Sequence, residues 1–355
     1  MIVGIDVHKN YCEAASIDDD GRLIRRWRFK NQNEAIEEFL PNLPEGTRIA
    51  MESCSYFYPL YSQLEREGFQ VSVAHPLKVK LIAESRNKND RVDANILAQL
   101  LRMNYLPTSY IPPEPTRQIR NLLRYRAALA RQRTQTTNRI HHLLEKRGIK
   151  TSQLGCGDLY SRKAQGNLAE LQLPPIERSI LDMELNLVRT SNSAIEKANI
   201  EIAKQAKENP QAKLLMTIPG IDYYSAMLLL AEIGDIHRFP DAKKLCAYAG
   251  LVPSVSQSGA RTIYGHITKQ GNRWIRFVMV EAVQRTITIQ KGSPLSAMYQ
   301  RIKARKGSAI AKVACARKLL KIIWFMLTRN EPYRYMDQEM FAGKQKRLMR
   351  TASKA

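Results

Sequence analysis

Residues 1–29, MIVGIDVHKNYCEAASIDDDGRLIRRWRF, decide how the first part of the chain folds. MIVGIDVHK, NYCEAASID and RLIRRWRF each read as a strand, and the acidic cluster from Asp18 to Gly21 is a turn between the second and the third. Three consecutive strands predict an antiparallel meander. Outward from it, NQNEAIEEFLPNL has helical spacing, TRIAMES is a short apolar strand, SYFYPLYSQLEREG returns to helix, and FQVSVAHP is a fifth strand. A further helix starts at about Asp90, where DRVDANILAQLLRMN places Val92, Ile96, Leu97, Leu100 and Leu101 on one face. The order β-β-β-α-β-α-β predicts a mixed sheet flanked by helices.

Pro107, Pro112, Pro113 and Pro115 interrupt both helix and central strand and mark a domain boundary. Thr116 to about Lys146 and Ile176 to Lys207 are long helical patterns that predict an antiparallel hairpin, with an aperiodic connector over residues 151–175. AKLLMTIPGID, YYSAMLLLAEIG, AKKLCAYAGL, NRWIRFVMVEAVQRT and SAIAKVACARKLLKIIWFMLTR predict a helical domain. GKQKRLMRTASKA reads as a frayed basic tail. The fold class is thus α/β plus all-α, divided as 1–110, 111–210 (linker and hairpin), 211–335 and 336–355.

The 355 residues include 56 Lys and Arg against 33 Asp and Glu, a formal net charge of +23. Residues 1–110 hold 14 basic and 15 acidic side chains, so the whole excess lies downstream and points to a polyanion such as nucleic acid. A hydrophobic share of 44% argues against a disordered or fibrous chain. No apolar run approaches the ~20 residues of a membrane span, so a soluble, cytoplasmic protein is expected. The five cysteines show no CxxC spacing and imply neither a disulfide framework nor a zinc site, and the six histidines show no metal-ligand spacing.

Asp6 ends one apolar strand, Glu52 ends another, and Asp90 with Asp93 opens a helix. Carboxylates so placed are costly unless a cation compensates them, and two Mg²⁺ ions about 4 Å apart would do so while gripping a phosphodiester. The plainer alternative is that Asp90 caps its helix and Asp6 merely ends its strand. Ser258 lies in QSGAR, within a polar glycine-bearing stretch read as an exposed loop, with Arg261, His266, Lys269 and Arg273 nearby. A serine becomes a nucleophile when its proton is removed and cations stabilise the phosphoryl oxygens; otherwise Ser258 is an ordinary polar loop residue. Ile218 to Asp222, IPGID, has the form of a helix-hairpin-helix turn whose amides near Gly220 would hold a DNA phosphate, or of a structural turn alone. Arg117, Arg120, Arg124, Arg131 and Arg139 on the first long helix predict polyanion contact, against the alternative of a solvated coiled-coil face.

GIDVHK, MES and KNDRVDANILAQLL, together with IPGID, LLAEIGDIHRFPDAKKLCAYAGLVP and SVSQSGARTIYGHITKQGNRWIR, resemble the one-hundred-and-ten family of insertion-sequence transposases, described as bridge-RNA-guided recombinases. The resemblance spans nearly the whole chain. It implies an RNase H/RuvC-like DEDD domain, a coiled-coil hairpin, and a C-terminal, mostly helical transposase domain with a helix-hairpin-helix-like element. It also implies Asp6, Glu52, Asp90 and Asp93 as Mg²⁺ ligands and Ser258 as the nucleophile of a covalent phosphoserine link. The implied partners are donor and target double-stranded DNA, an element-encoded structured RNA, and further copies of the chain in a tetramer. Asp222 stands where the family usually has a second glycine, and Ala260 where a further glycine is common.

The expected activity is therefore DNA transposition by a Mg²⁺-assisted serine recombinase acting at the nucleoid of a prokaryotic cytoplasm. Two rival readings use the same residues differently. A RuvC-like junction nuclease would use water as nucleophile and be indifferent to Ser258; a non-catalytic RNA- or DNA-binding protein would bind with strong salt dependence and transfer no strand.

Overall fold

In the computed structural model, which describes residues 1–82, 90–150, 161–258 and 261–354, strand β1 (Ile2–Val7) is buried at every position. Both of its faces are therefore covered. It belongs to the first of two compact units, Met1–Pro112. β2 (Tyr11–Ile17) and β3 (Leu23–Lys30) follow β1 as the expected antiparallel meander. β4 (Arg48–Glu52) and β5 (Gln70–Ala74) add in parallel on its other side, giving the order β3-β2-β1-β4-β5. Because side chains alternate along a strand, Val3, Ile5 and Val7 share one face with Ile49 and Met51, and helices α1 (Asn33–Phe39) and α2 (Tyr58–Arg66) bury Ile36, Phe39, Leu60 and Leu64 there. Ile2 and Ala50 point the other way, against Leu97, Ala98 and Leu101 of α4 (Asp90–Arg102). A short helix absent from the expected order, α3 (Pro76–Ile82), buries no residue, so it carries no amphipathic signal.

Gly4 lies on the α4 side of β1. A Cβ added there would sit 2.0 Å from the Ala94 carbonyl oxygen and 2.6 Å from the Ala98 nitrogen. Only glycine lets helix and strand backbones approach so closely, and this contact fixes the height of α4 above the sheet.

The second unit, Pro113–Ala355, begins with α5 (Glu114–Glu145). After α6 (Arg162–Ala169), α7 (Pro175–Glu208) returns antiparallel to α5, with Arg126 bonded to Asn199, Arg133 to Asn192, Arg139 to Glu184 and Arg147 to Glu177. Part of the connector expected to be aperiodic is thus helical, with Ala164 and Leu168 buried against Leu181 and Leu185; residues 151–160 lie outside the described residues. The base of the hairpin shares one core with the C-terminal helices: Leu123, Ile202 and Ala206 pack with α8 (Pro210–Met216), α9 (Tyr223–Ile233), α10 (Ala242–Tyr248), α11 (Arg273–Ile289), α12 (Pro294–Lys306) and α13 (Ser308–Arg329). The stretch read as an exposed loop is instead a two-stranded ribbon, β6 (Pro253–Ser258) and β7 (Arg261–Ile267). Both its faces are largely exposed, which is why no buried-strand alternation marked it.

Most of the stretch read as a frayed basic tail, GKQKRLMRTASKA, instead belongs to α14 (Gln338–Ala352). Lys344 holds it in place. Its ammonium is buried and donates to the carbonyls of Met216, Ile218 and Ile221 at 2.5–2.8 Å, so a basic residue serves the interior here. Burial pushes its pKa down to about 8, but three carbonyl acceptors require all three N–H donors, and at neutral pH it remains an ammonium. No helix among the described residues is long and apolar enough to cross a membrane.

Gly4→Ala is expected to lower stability by about 3 kcal/mol, the upper end of overpacking costs, because backbone rather than side chain opposes the new methyl. Gly166→Ala in α6, where nothing lies within 4 Å of the added Cβ, should be neutral or slightly stabilising. Urea unfolding of the two variants checks the contrast.

Candidate carboxylate site and serine ribbon

Two steps along β1 from Gly4, on the same face, stands Asp6. The parallel register pairs Ile5 with Met51, so Glu52 ends β4 beside it on that same face. Asp90 and Asp93, one helical turn apart at the start of α4, are brought over these strand ends by the close approach at Gly4. Asp6, at 4% exposure, is the most buried of the four. Burial raises its pKa to about 6, with repulsion from Glu52, Asp90 and Asp93 adding to the effect and His8 opposing it.

His8 is the residue that sequence reasoning passed over. Its Nε2 lies 3.2 Å from an oxygen of Asp6 and 3.2 Å from one of Asp90, and these three side chains offer ligand atoms within 4.8 Å of one another. The readable signal was its period-two spacing from Asp6 in GIDVHK. Tyr11 also enters the site, donating its hydroxyl to Asp90 at 2.8 Å, a bond that raises the tyrosine pKa. Glu52 and Asp93 stand outside the tight Asp6–His8–Asp90 group but within its field. A buried acid surrounded by three others is a donor set that a divalent cation fits and that little else in a protein would neutralise.

Ser258 belongs to the second unit. It closes β6, and its register partner across the ribbon is Arg261, so the two side chains leave the same face with Cβ atoms ~5 Å apart. Both are exposed, and Gly259 and Ala260 between them lie outside the described residues. Lys269, with a left-handed φ of 53°, and Arg273 are exposed beyond the ribbon's other end. The ribbon's base is tied down by Thr268 and Asn272, whose amides donate to the carbonyls of Val252 and Tyr248. The Asn272 side chain caps α11 and donates to Glu232 at 2.7 Å.

Glu232 is fully buried. Arg124 bonds it through two nitrogens at 2.7 and 2.9 Å, and Arg120 stands 3.7 Å away while donating to the Ala231 carbonyl. A buried carboxylate on α9 thus engages both arginines expected to contact a polyanion; the Arg120 side chain is only 12% exposed, whereas that of Arg124 is 39% exposed. Arg139 is likewise engaged, with Glu184 on α7. Arg131 is exposed, and no carboxylate pairs with it among the described residues; Arg117 has its own partners. Gly220 is close-packed, since a Cβ there would lie 2.1 Å from the Ala282 carbonyl of α11. Asp222 caps α9 through the Tyr223 amide and pairs with Arg347 of α14 at 2.7 Å. The IPGID turn is thus occupied structurally from both sides.

A transposase profile of the DEDD type matches residues 3–147, and the profile described as the transposase IS116/IS110/IS902 family matches residues 212–300. The chain belongs to this transposase family. It is 28% identical to the transposase for insertion sequence element IS1111A of Coxiella burnetii, an alignment covering 94% of this chain and 91% of that one. It is 26% identical to the transposase for element IS1328 of Yersinia enterocolitica, over 93% and 97% of the two chains. A probable family 20 transposase of Pseudomonas aeruginosa is 23% identical, over 94% and 98%. In this transposase the first matched segment contains all four acids together with His8, and the second contains Gly220, Glu232 and the entire serine ribbon.

An Asp6 carboxyl that titrates at about 6 in the folded chain, against 3.8 otherwise, binds its proton more tightly folded than unfolded. Stability in chelator therefore falls as pH rises from about 4 to 6, and above that the ionised group costs about 3 kcal/mol. Asp6→Asn should remove the cost, raising the urea midpoint in EDTA at neutral pH. A divalent cation added back should stabilise the parent chain and leave Asp6→Asn unchanged.

Proposed function

We propose that this transposase cuts and rejoins DNA through a covalent phosphoserine formed by Ser258, assisted by Mg²⁺ at the carboxylate site. The observation that carries the proposal is the register of the ribbon, which puts the Ser258 hydroxyl and the Arg261 guanidinium side by side on an exposed projection with a fixed base. Ser258 Oγ attacks phosphorus and loses its proton, the P–O bond to the departing strand breaks, and that strand leaves with a 3′ hydroxyl. Arg261 faces the same phosphate and offsets the charge that builds on its oxygens. Because one phosphoester replaces another, the strand can be passed to a new 3′ hydroxyl by the reverse attack, which frees the serine; no high-energy cofactor is consumed. Asp6, Glu52, Asp90 and Asp93 would hold Mg²⁺, as two ions on the chemistry of four clustered carboxylates, and its chemistry would be to polarise the phosphate as a Lewis acid.

The same proposal includes donor and target double-stranded DNA as substrates and an element-encoded structured RNA that selects the site by base pairing. The charge of +23, concentrated after residue 110, supports a large nucleic-acid partner. Assembly as a tetramer is supported by an apolar seam on α7. Ile176, Ile180, Met183 and Leu187 follow the alternating four- and three-residue steps of a coiled coil, yet Ile176 is 78% and Met183 58% exposed. A junction nuclease using water keeps one observation in its favour: all four acids come from the first unit alone.

Denaturing electrophoresis with a labelled DNA substrate separates the two. Ser258→Ala should abolish both the covalent protein–DNA adduct and strand exchange, and Asp6→Asn should do the same; cleavage that persists in Ser258→Ala would establish water as the nucleophile. Met183→Glu should shift the sedimentation profile toward smaller species without altering the unfolding free energy by more than about 0.5 kcal/mol, since the residue is exposed.

A further inference from the structure

One face of α5, the first turn of α9 and one face of α11 enclose a groove of about 570 Å³ within the second unit. The volume falls in the ~300–1,000 Å³ range of sites that take a small molecule or a single nucleotide. Its walls combine two chemistries. Tyr224, Trp274 and Phe277 supply three aromatic rings, and Phe277 is 53% exposed although it sits on a helix whose neighbouring positions are core. Arg126, Arg131 and Arg273 supply three guanidinium groups, of which Arg126 lies 4.2 Å over the Tyr224 ring and Arg273 5.2 Å from the Trp274 ring.

We propose that this groove binds one unpaired nucleotide of an RNA strand, its base stacked on Phe277 and its flanking phosphates held by Arg131 and Arg273. Aromatic faces interleaved with arginines are the means by which proteins hold unstacked bases, and rings already stacked with guanidinium groups present a preorganised surface. A pocket of this size admits one base and not a base-paired step, so duplex DNA would have to lose pairing and stacking to enter, whereas loops and bulges of RNA offer such a base at no cost. Glu281 sets the choice of sugar. Its exposed carboxylate lines the same groove, where it repels phosphate and accepts a hydrogen bond from a 2′-hydroxyl, the group DNA lacks. The inference rests on the RNA-association part of the proposed function and on none of its chemistry.

The test uses the full chain at one fixed salt concentration, with three probes of the same sequence: an RNA stem-loop carrying 2-aminopurine in its loop, the blunt RNA duplex of its stem, and the DNA stem-loop. The RNA stem-loop should bind about tenfold more tightly than the blunt duplex, with its 2-aminopurine emission quenched by stacking. Phe277→Ala should weaken stem-loop binding about tenfold, abolish the quench and leave duplex binding unchanged, while Phe277→Tyr retains both signals. Glu281→Ala should shrink the preference for RNA over the DNA stem-loop. Equal affinity for loop and duplex, a Phe277→Ala protein that binds the loop like the parent, or a DNA loop held as tightly as the RNA one would each overturn the proposal. Loop discrimination without any Ser258 adduct would sink the proposed recombination chemistry and leave this site standing; an adduct without loop discrimination would do the reverse.

Discussion

The first unit holds the Asp6 carboxylate buried against three other acids, at a cost to its own stability, and the layout of its site follows from that constraint. Nothing in the sheet itself favours that arrangement; the apolar faces on either side would be served equally well by a neutral residue. It is imposed by geometry. The parallel register of β1 and β4 aligns two strand ends, and a missing methyl at residue 4 lets α4 lie directly on β1, so that its first turn overhangs them. His8 bridges two of the acids at 3.2 Å each, but one imidazole cannot balance four carboxylates, and the remaining deficit is what a divalent ion would fill.

The second unit solves the opposite problem, an excess of positive charge, by internalising part of it. Glu232 binds Arg124 and the cap of α11, and the carbonyls around IPGID receive Lys344. These buried contacts join the long hairpin, the base of the ribbon and the C-terminal helix into one body. Many cations remain at the surface, Arg131 and Arg273 of the groove and Arg261 of the ribbon among them.

The strands, the meander they open with, the succession of elements and the placement of Asp6 and Glu52 near strand ends and of Asp90 at a helix start were legible because each depends on short-range pattern. His8 was missed because a search for metal-ligand spacing looks for histidines among themselves, whereas this one pairs with an aspartate two residues away. The ribbon escaped because a strand exposed on both faces leaves no alternating imprint, and α14 escaped because lysine and arginine normally mark the surface. The pairing of Arg120 and Arg124 with Glu232 was not legible for the same reason: composition counts charges and cannot see a carboxylate more than a hundred residues away.

Polar rungs pair Arg126 with Asn199, Arg133 with Asn192 and Arg139 with Glu184 between α5 and α7, and Arg147, just past the end of α5, with Glu177, residue numbers rising on one side as they fall on the other. Sliding one helix past its neighbour would break all four at once, so the hairpin behaves as a ruler rather than a spring. At ~1.5 Å per residue, the 32 residues of α5 span ~48 Å. Evolution could change that reach only in steps: adding about seven or eleven residues to each helix lengthens the arm by ~10 or ~16 Å while nearly preserving which side faces which, and an increment far from a whole number of turns also rotates the end of the arm about its axis.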